Sequence, residues 1–583
     1  MNVLGISAFY HDSSACLYQN GHIVAAAQEE RFSRKKHDLG WPTQAIEYVL
    51  NEGKLHIREI DYVAYYEKPL LKFERLMAQF TATYPWSLPA FLESIPTWLS
   101  EKLAVRSFIE RMGYKGPMRF VPHHEAHAAS AFLVSPFSNA AILTMDGVGE
   151  WATTTIGIGQ NNRIELQQEI HFPHSVGLLY SAITAYLGFR VNNSEYKVMG
   201  LAPWGKPVYY EKLKKILILN SDGSFSLDMR YFDYVHRMRM FSDHFIREFG
   251  PARKPDSPVT QFHMDLAASV QRLTEEAVIN TLHFLYEQTH AENVCLAGGV
   301  ALNSVANGKI LSHTPFKRIF IQPAAGDAGT SLGAAAFVYH SLLGMPRTQA
   351  MTTASLGPSY SDEEIKIFLD EHRISYQSFE SRAELLETVA ELLASDQVIG
   401  WFQGRMEWGP RALGNRSILS NPTNPHMAEI LNLKVKHREK FRPFAPVITE
   451  EDVPEYFEAD EPVPEPAYYM LMVYPIRAHQ RSRIPSVTHV DGSGRLQVIK
   501  RDQNPLYYDL IKKFQEKSGV PILVNTSFNI RGEPIVCTPA HAYRCMMGTG
   551  IDALVMGNFL IRRENNPLDK WDSESEAKKE EQG

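Results

Sequence analysis

The sequence predicts an α/β protein with two large domains, the first built as an internal duplicate. Three observations lead there. The chain has 583 residues, more than one hydrophobic core accommodates. The order strand, polar turn, strand, Asn-containing turn, strand occurs twice in the first 170 residues, the mark of two similar halves facing a cleft. A small-polar, proline-bounded stretch at 344–358 then separates this region from a second half with its own strands and a dense run of cations.

The totals exclude several classes. A hydrophobic content of 44% and a charged content of 21% fit an ordinary soluble protein. A formal charge of −7 argues against a general nucleic-acid binder. Cys16, Cys295, Cys537 and Cys545 are widely spaced with no CxxC, so buried reduced thiols and a cytoplasmic setting are expected. No basic-plus-apolar leader opens the chain, and no window approaches the ~18 apolar residues of a membrane span, so no membrane partner is expected.

In order, residues 3–7, 14–18 and 22–27 read as strands, the last two joined at Asn20-Gly21, a two-residue hairpin signal needing positive φ. The charge cluster 29–38 has two readings: a solvated helix end, or a segment from which Lys36 reaches a phosphate. Residues 64–120 are aromatic and helix-like, and Tyr65, Tyr66, Phe73, Phe80, Trp86, Phe91 and Trp98 are expected mostly in the core. The pattern returns as strands at 141–145, 153–158 and 163–167, with turns at 146–149 and 161–162. Residues 194–205 read as a loop in which Lys197 could meet an anion. The aromatic and basic stretch 206–262 reads equally as an acceptor-binding wall or a structural flap. Oligomeric state is not legible, although these aromatic inserts offer a surface through which a homodimer could form. Helical periodicity over 271–288 precedes a buried strand at 293–297. Gly298-Gly299 then lets backbone N–H groups approach a phosphate.

In the second half a strand at 398–402 leads into eight Lys or Arg between Arg405 and Arg442 against three Glu. Glycines and prolines around Arg405 and Arg411 oppose a regular helix surface. An anion pocket with Arg as bidentate partner is favoured over a solvated face or a nucleic-acid patch, because apolar residues interleave the bases. A strand at 521–524 opens onto a second polar loop, 525–533, with Arg531, which Arg495 could join. The segment 566–583 is charged and reads as a disordered tail.

The candidate metal ligands stand apart from these. His123 and His127 are four residues apart, which on a helix puts both imidazoles on one face. The alternative is a surface or core His pair. Asp146 and Asp327 each follow an apolar run at a turn, and two neutral imidazoles with two carboxylates would offset a divalent cation.

Ten motifs in order resemble the NodU/CmcH carbamoyltransferase family over about residues 1–565. They lie at 11–15 (HDSSA), 29–37, 123–130 (HHEAHAAS), 146–149, 197–201, 298–303, 327–333, 409–414 (GPRALG), 442–446 (RPFAP) and 525–529 (NTSFN). The resemblance implies a duplicated actin/sugar-kinase-like, TsaD-like domain at 1–350 and a YrdC-like α/β domain at 358–565. It implies that carbamoyl phosphate and ATP give carbamoyl adenylate and pyrophosphate in the second domain. The carbamoyl group then passes in the first to a hydroxyl or amine of a small-molecule acceptor, such as an antibiotic or other natural product. It implies His123, His127, Asp146 and Asp327 as ligands of Fe(II) or another divalent metal, Mg²⁺ with ATP, and His11 as general base. Lys36, Gly177, Gly299 and Asn303 are then nucleotide contacts of the first site. Arg411, Lys436, Arg442, Arg495, Asn525 and Ser527 are then phosphate and ATP contacts of the second. This chain has Ala8-Phe9-Tyr10 ahead of His11, without a carboxylate, which leaves the base to His11 and the acceptor open. The competing expectations are a tRNA threonylcarbamoyl-type enzyme and a non-catalytic nucleotide-binding module of the actin class.

Overall fold

The computed structural model describes residues 1–439 and 441–566, so Lys440 and all but the first residue of the expected charged tail lie outside the described residues. The described chain divides into two compact units, 1–29 with 39–351, and 30–38 with the described residues from 352 on.

The first unit carries the duplication. Strands β1 (Asn2–Ser7), β2 (Ser14–Gln19), β3 (His22–Gln28), β4 (Tyr62–Tyr65) and β5 (Met118–Phe120) form a sheet in the order β3-β2-β1-β4-β5. Its first three strands are antiparallel and its last two join in parallel. Strands β6 (Asn139–Met145), β7 (Ala152–Gln160) and β8 (Arg163–His171) precede a small hairpin of β9 (Leu217–Leu219) and β10 (Phe225–Leu227). With β11 (Asn293–Ala297) and β12 (Arg318–Phe320) they make a second sheet, β12-β11-β6-β7-β8, with the same pairing senses. The two sheets share one topology, the duplicated arrangement of an actin/sugar-kinase-like domain. Asn20 and Gly21 have φ of +50° and +86°, as their two-residue hairpin requires.

Two helices between these sheets carry or adjoin candidate site residues. Helix His123–Phe132 packs on helix Gly329–Ala336 so closely that a Cβ on Gly333 would stand 1.8 Å from the Ala126 carbonyl oxygen. Ser14 ties the second helix down by donating to the Ala328 carbonyl at 2.8 Å. Some expectations need correction. Residues 195–204 are helical rather than a loop, and Lys197 lies over the Phe189 ring. Trp86 is 66% exposed, whereas Tyr65, Tyr66 and Trp98 are buried as expected. All four cysteines are buried free thiols, and among the described residues no helix is long and apolar enough to cross a membrane.

The second unit is α/β. Its nine-stranded mixed sheet runs β13 (Gln377–Ser378), β21 (Phe559–Arg562), β20 (Ala553–Met556), β14 (Ile399–Phe402), β15 (Arg416–Ser420), β19 (Ile522–Ser527), β16 (Ala445–Thr449), β18 (Ser493–Ile499), β17 (Met472–Pro475). Helices Arg382–Ala394 and Pro505–Ser518 bury Leu386, Val389, Ile511 and Phe514 against it. Segment 30–38 belongs here. Arg31 donates to the Gly409 carbonyl at 2.7 Å, and Arg34 to those of Pro534 and Ile535 at 2.6 and 2.7 Å. Glu30 and Arg31 are buried, so this cluster is not a solvated helix end.

Candidate functional site

The first unit gathers His123, His127, Asp146 and Asp327, all buried, with one ligand atom from each lying within 4.8 Å of the others. Their placement follows from the chain around them. Pro122 and then Glu150, which accepts from the His123 amide at 3.1 Å, fix the start of the histidine helix. A carboxylate there also answers the positive end of the helix. Asp146 leaves the end of β6, and Gly177 must lack a side chain because a Cβ would stand 2.6 Å from the Asp146 carbonyl oxygen. The Gly299 amide donates to Asp146 Oδ1 at 2.7 Å. Asp327 precedes helix Gly329–Ala336.

The spacing fits a metal ion. The Nε2 atoms of His123 and His127 are 3.1 Å apart. His123 Nε2 lies 3.2 Å from Asp146 Oδ2, and His127 Nε2 lies 3.3 Å from Asp327 Oδ1. The crossed pairs are both 3.8 Å. Ligands ~2.0–2.2 Å from one ion stand roughly 3.0 Å apart at right angles and ~3.4 Å apart at tetrahedral angles. Both Asp327 oxygens are buried with no hydrogen-bond partner among the described residues, as are both Nδ1 atoms. Two facing imidazole nitrogens and a carboxylate without donors are what a divalent cation satisfies.

The carboxylates and imidazoles of the cluster stabilise one another's charges. Burial alone would raise Asp146, but the hydrogen bond from His123 and the pull of His127 overcome it and hold the carboxyl well below its ordinary range. Burial and the charge of Asp146 push Asp327 up, yet the neighbouring histidines still leave it lowered. Burial opposes a charge on His127, whereas the two carboxylates draw it up to about 9. His124 is different. Its Nε2 donates to the Ala152 carbonyl at 2.9 Å, so its Nδ1 accepts from Thr144 at 2.6 Å, and burial pulls it down to about 3. It is a satisfied core histidine.

His11 lies beside this cluster, its Nε2 3.6 Å from Asp327 Oδ2 and its Nδ1 3.0 Å from Asp12 Oδ2. Burial opposes its charge, but Asp327 and Asp12 draw it up to about 9. A cation on Asp327 would withdraw much of that pull and favour the neutral ring. Asn303 pairs with Gln271 through two 3.1 Å hydrogen bonds and caps helix Ser304–Asn307. Lys36 lies in segment 30–38 of the second unit.

In the second unit the cations converge. Lys436 is 3% exposed and donates to Ser527 and Asn529, to the Asn529 side-chain oxygen at 2.9 Å. Burial, then Arg438, Arg442 and Lys36, hold its ammonium well below the ordinary lysine range. Burial, then Arg411 and Arg438, do the same to Arg495. Asn525 donates to the Ala412 carbonyl at 3.1 Å, steadying the loop of Arg411, while its own Oδ1 has no hydrogen-bond partner among the described residues. Arg442 pairs with Glu439 at 2.5 Å. Not every cation of the run joins this cluster. Arg416 is wholly buried, stacks on Phe402 at 3.7 Å and donates to the Gln403 and Pro358 carbonyls. Arg405 likewise holds the Leu356 and Gly357 carbonyls. The sequence left Arg438 unassigned, although its place between Lys436 and Arg442 was the available signal. It also gave no signal for Glu150, whose partners are amides far along the chain.

Comparison with known proteins follows this geometry. Residues 2–336 match the family description "Carbamoyltransferase N-terminus" and residues 390–563 match "Carbamoyltransferase C-terminus". A Synechocystis protein, sll1178, is 47% identical and aligns over 99% of each chain. Nodulation protein NolNO of Sinorhizobium fredii is 36% identical over 97% of this chain and 81% of its own. Among solved structures, component A of the Acidaminococcus fermentans (R)-2-hydroxyglutaryl-CoA dehydratase is 13% identical. It covers 59% of this chain and 99% of its own at a TM-score of 0.34, too slight a likeness to carry an argument. The two family matches together span most of the described residues, and the chain belongs to the carbamoyltransferase family.

Proposed function

We infer that the chain is an ATP-dependent carbamoyltransferase that activates its own carbamoyl donor. The carbamoyl carbon is a poor electrophile until it is joined to a good leaving group. In the second unit, water releases inorganic phosphate from carbamoyl phosphate. A carbamate oxygen then bonds to the α-phosphorus of ATP as pyrophosphate leaves, with Mg²⁺ on the triphosphate. Arg411, Lys436, Arg442, Arg495, Asn525 and Ser527 hold these anions, and a pocket that crowds cations until burial depresses them favours a polyanionic occupant. In the first unit the acceptor hydroxyl or amine bonds to the carbamoyl carbon, the carbon–oxygen bond to AMP breaks, and His11 takes the acceptor proton.

His123, His127, Asp146 and Asp327 would hold the divalent ion. It would supply Lewis-acid stabilisation of the charge that develops on the departing phosphate. The donor set suits Fe(II) and other first-row divalent metals, and Fe(II) is the identity we propose. Gly177, Gly299 and Asn303 complete the proposed nucleotide contacts of the first unit, Gly177 and Gly299 by letting backbone approach beside Asp146.

The convergence of four ligand atoms beside His11 carries this reading. The test is incubation with ATP, carbamoyl phosphate, Mg²⁺ and Fe²⁺. Pyrophosphate and carbamoyl adenylate are the expected products, and absence of pyrophosphate under all metal conditions would overturn it.

A further inference from the structure

The insert between β4 and β5 holds three cations that the proposed chemistry leaves unused, two of them buried and the third half-buried. Lys72 and Arg75 lie a turn apart on helix Pro69–Ala82, and Lys102 ends the turn Trp98–Lys102. Lys72 and Arg75 are 4% and 5% exposed. Lys72 pairs with Glu67 at 2.6 Å. Arg75 lies 5.0 Å from the Phe172 ring centroid. Its Nε and Nη1 are shielded from solvent and have no hydrogen-bond partner among the described residues, and no carboxylate stands within ion-pair distance. Lys102 lies over the Trp98 ring at 5.0 Å and the Tyr10 ring at 6.0 Å, again with no ion-paired carboxylate among the described residues.

Among the described residues, Glu67 and Glu150 act on Arg75 only from beyond ion-pair distance. Glu67 is taken by Lys72, and Glu150 accepts from the amides of Lys68 and His123. Glu101 acts on Lys102 more weakly than burial and Lys72 do, and those two pull its ammonium down to about 8. Burial draws Arg75 down to about 10. A buried guanidinium without a counter-ion destabilises a fold unless something pairs with it.

The position gives the cluster a use. The Tyr10 ring centroid lies 4.8 Å from Lys72 Nζ and 4.6 Å from the His11 ring centroid. His11 reaches Asp327, so the cations stand one aromatic ring from the proposed base. Gly177 and Gly299, the proposed nucleotide contacts, approach Asp146 instead.

We propose that Lys72, Arg75 and Lys102 form a subsite for an anionic group, a carboxylate, sulfate or phosphate, carried by the carbamoyl acceptor. Tyr10 then spaces that group from the hydroxyl or amine presented to His11. Arginine with two lysines suits bidentate capture of such an oxyanion. The inference rests on the carbamoyl-transfer reading of the site.

The test is thermal unfolding of the full chain in sulfate, phosphate or acetate against chloride at constant ionic strength, for wild type and Arg75→Leu. Wild type gains several degrees from the oxyanions. Arg75→Leu melts no lower than wild type without them, because a buried unpaired charge is gone, and loses most of the response. A structural arginine gives the reverse: a lower anion-free melting temperature and a wild type indifferent to oxyanions. That result overturns the proposal. Titration with AMP separates the two sources of phosphate. If AMP abolishes the oxyanion response, the group belongs to the nucleotide and the acceptor assignment falls. Paired acceptors with and without an acid group extend the test. Wild type favours the acidic one by about tenfold or more in kcat/KM, and Arg75→Leu erases the difference. Equal rates in wild type refute the assignment. Pyrophosphate release by the wild-type preparation keeps a failure of this inference apart from a failure of the carbamoyl-transfer reading.

Discussion

Replacing a metal ligand should separate the two half-reactions. His127 is 0% exposed, and its Nε2 lies 3.1 Å from His123 Nε2 and 3.3 Å from Asp327 Oδ1. His127→Ala leaves three ligands of four. Loss of a group that merely orients a ligand costs about 10–100-fold in metal affinity, so loss of the ligand itself should cost more than about 100-fold, or ~2.7 kcal/mol. Without metal the variant also leaves Asp146 and Asp327 with fewer cationic partners, a loss of up to about 3–5 kcal/mol for a broken buried pair. Asp327→Asn removes a carboxylate instead. It should bind metal as poorly and also destabilise the metal-free chain, because the neighbouring histidines hold Asp327 below its ordinary range in spite of burial and the repulsion from Asp146. The assay follows metal content by elemental analysis, pyrophosphate release, and carbamoyl transfer in one preparation. Both variants should release pyrophosphate within about twofold of wild type and transfer at less than about one hundredth of its rate. Equal loss of both steps, or retained metal, refutes the division of labour.

The remaining expectations concern single groups. His11→Asn should lower transfer by about 10²–10⁴-fold and leave metal content unchanged, and normal transfer would remove His11 from the mechanism. Arg495→Gln should raise the KM for ATP or carbamoyl phosphate in pyrophosphate release by about tenfold or more, because Arg495 Nε has no partner among the described residues; an unchanged KM contradicts its role. Burial holds His489 neutral down to about 4, against an ordinary value of 6.5. Its contribution to stability is therefore complete above pH 6.5 and is lost as pH falls from 6.5 toward 4. The loss is at most about 3 kcal/mol and is reduced by the part exposure of the ring. Denaturant unfolding at pH 5 and 7.5 should show it, and His489→Gln should flatten the difference.

Much of the fold was legible because its signals are local. Period-two runs and the Asn20-Gly21 turn mark the first half, and their return at 141–167 announces its copy. The His123 and His127 spacing on one helix face was legible for the same reason. Other features depend on contacts distant in sequence. Nothing local distinguishes the buried anchors Arg31 and Arg34 from a solvated charged face, since their partners are carbonyls some 400–500 positions away, Gly409, Pro534 and Ile535. Arg416 was countable as a cation, but only its surrounding carbonyls and the Phe402 ring show that it builds the loop rather than binding a ligand. Gly299 shows the limit from the other side. Its residue type pointed to a phosphate, and in the structure its amide also holds Asp146 in place.

The most direct measurement is an anomalous difference map at the iron edge from crystals grown with Fe²⁺. The account predicts one peak about 2.0–2.2 Å from His123 Nε2, His127 Nε2 and an oxygen each of Asp146 and Asp327. No peak there, or an ion held by other side chains, contradicts it.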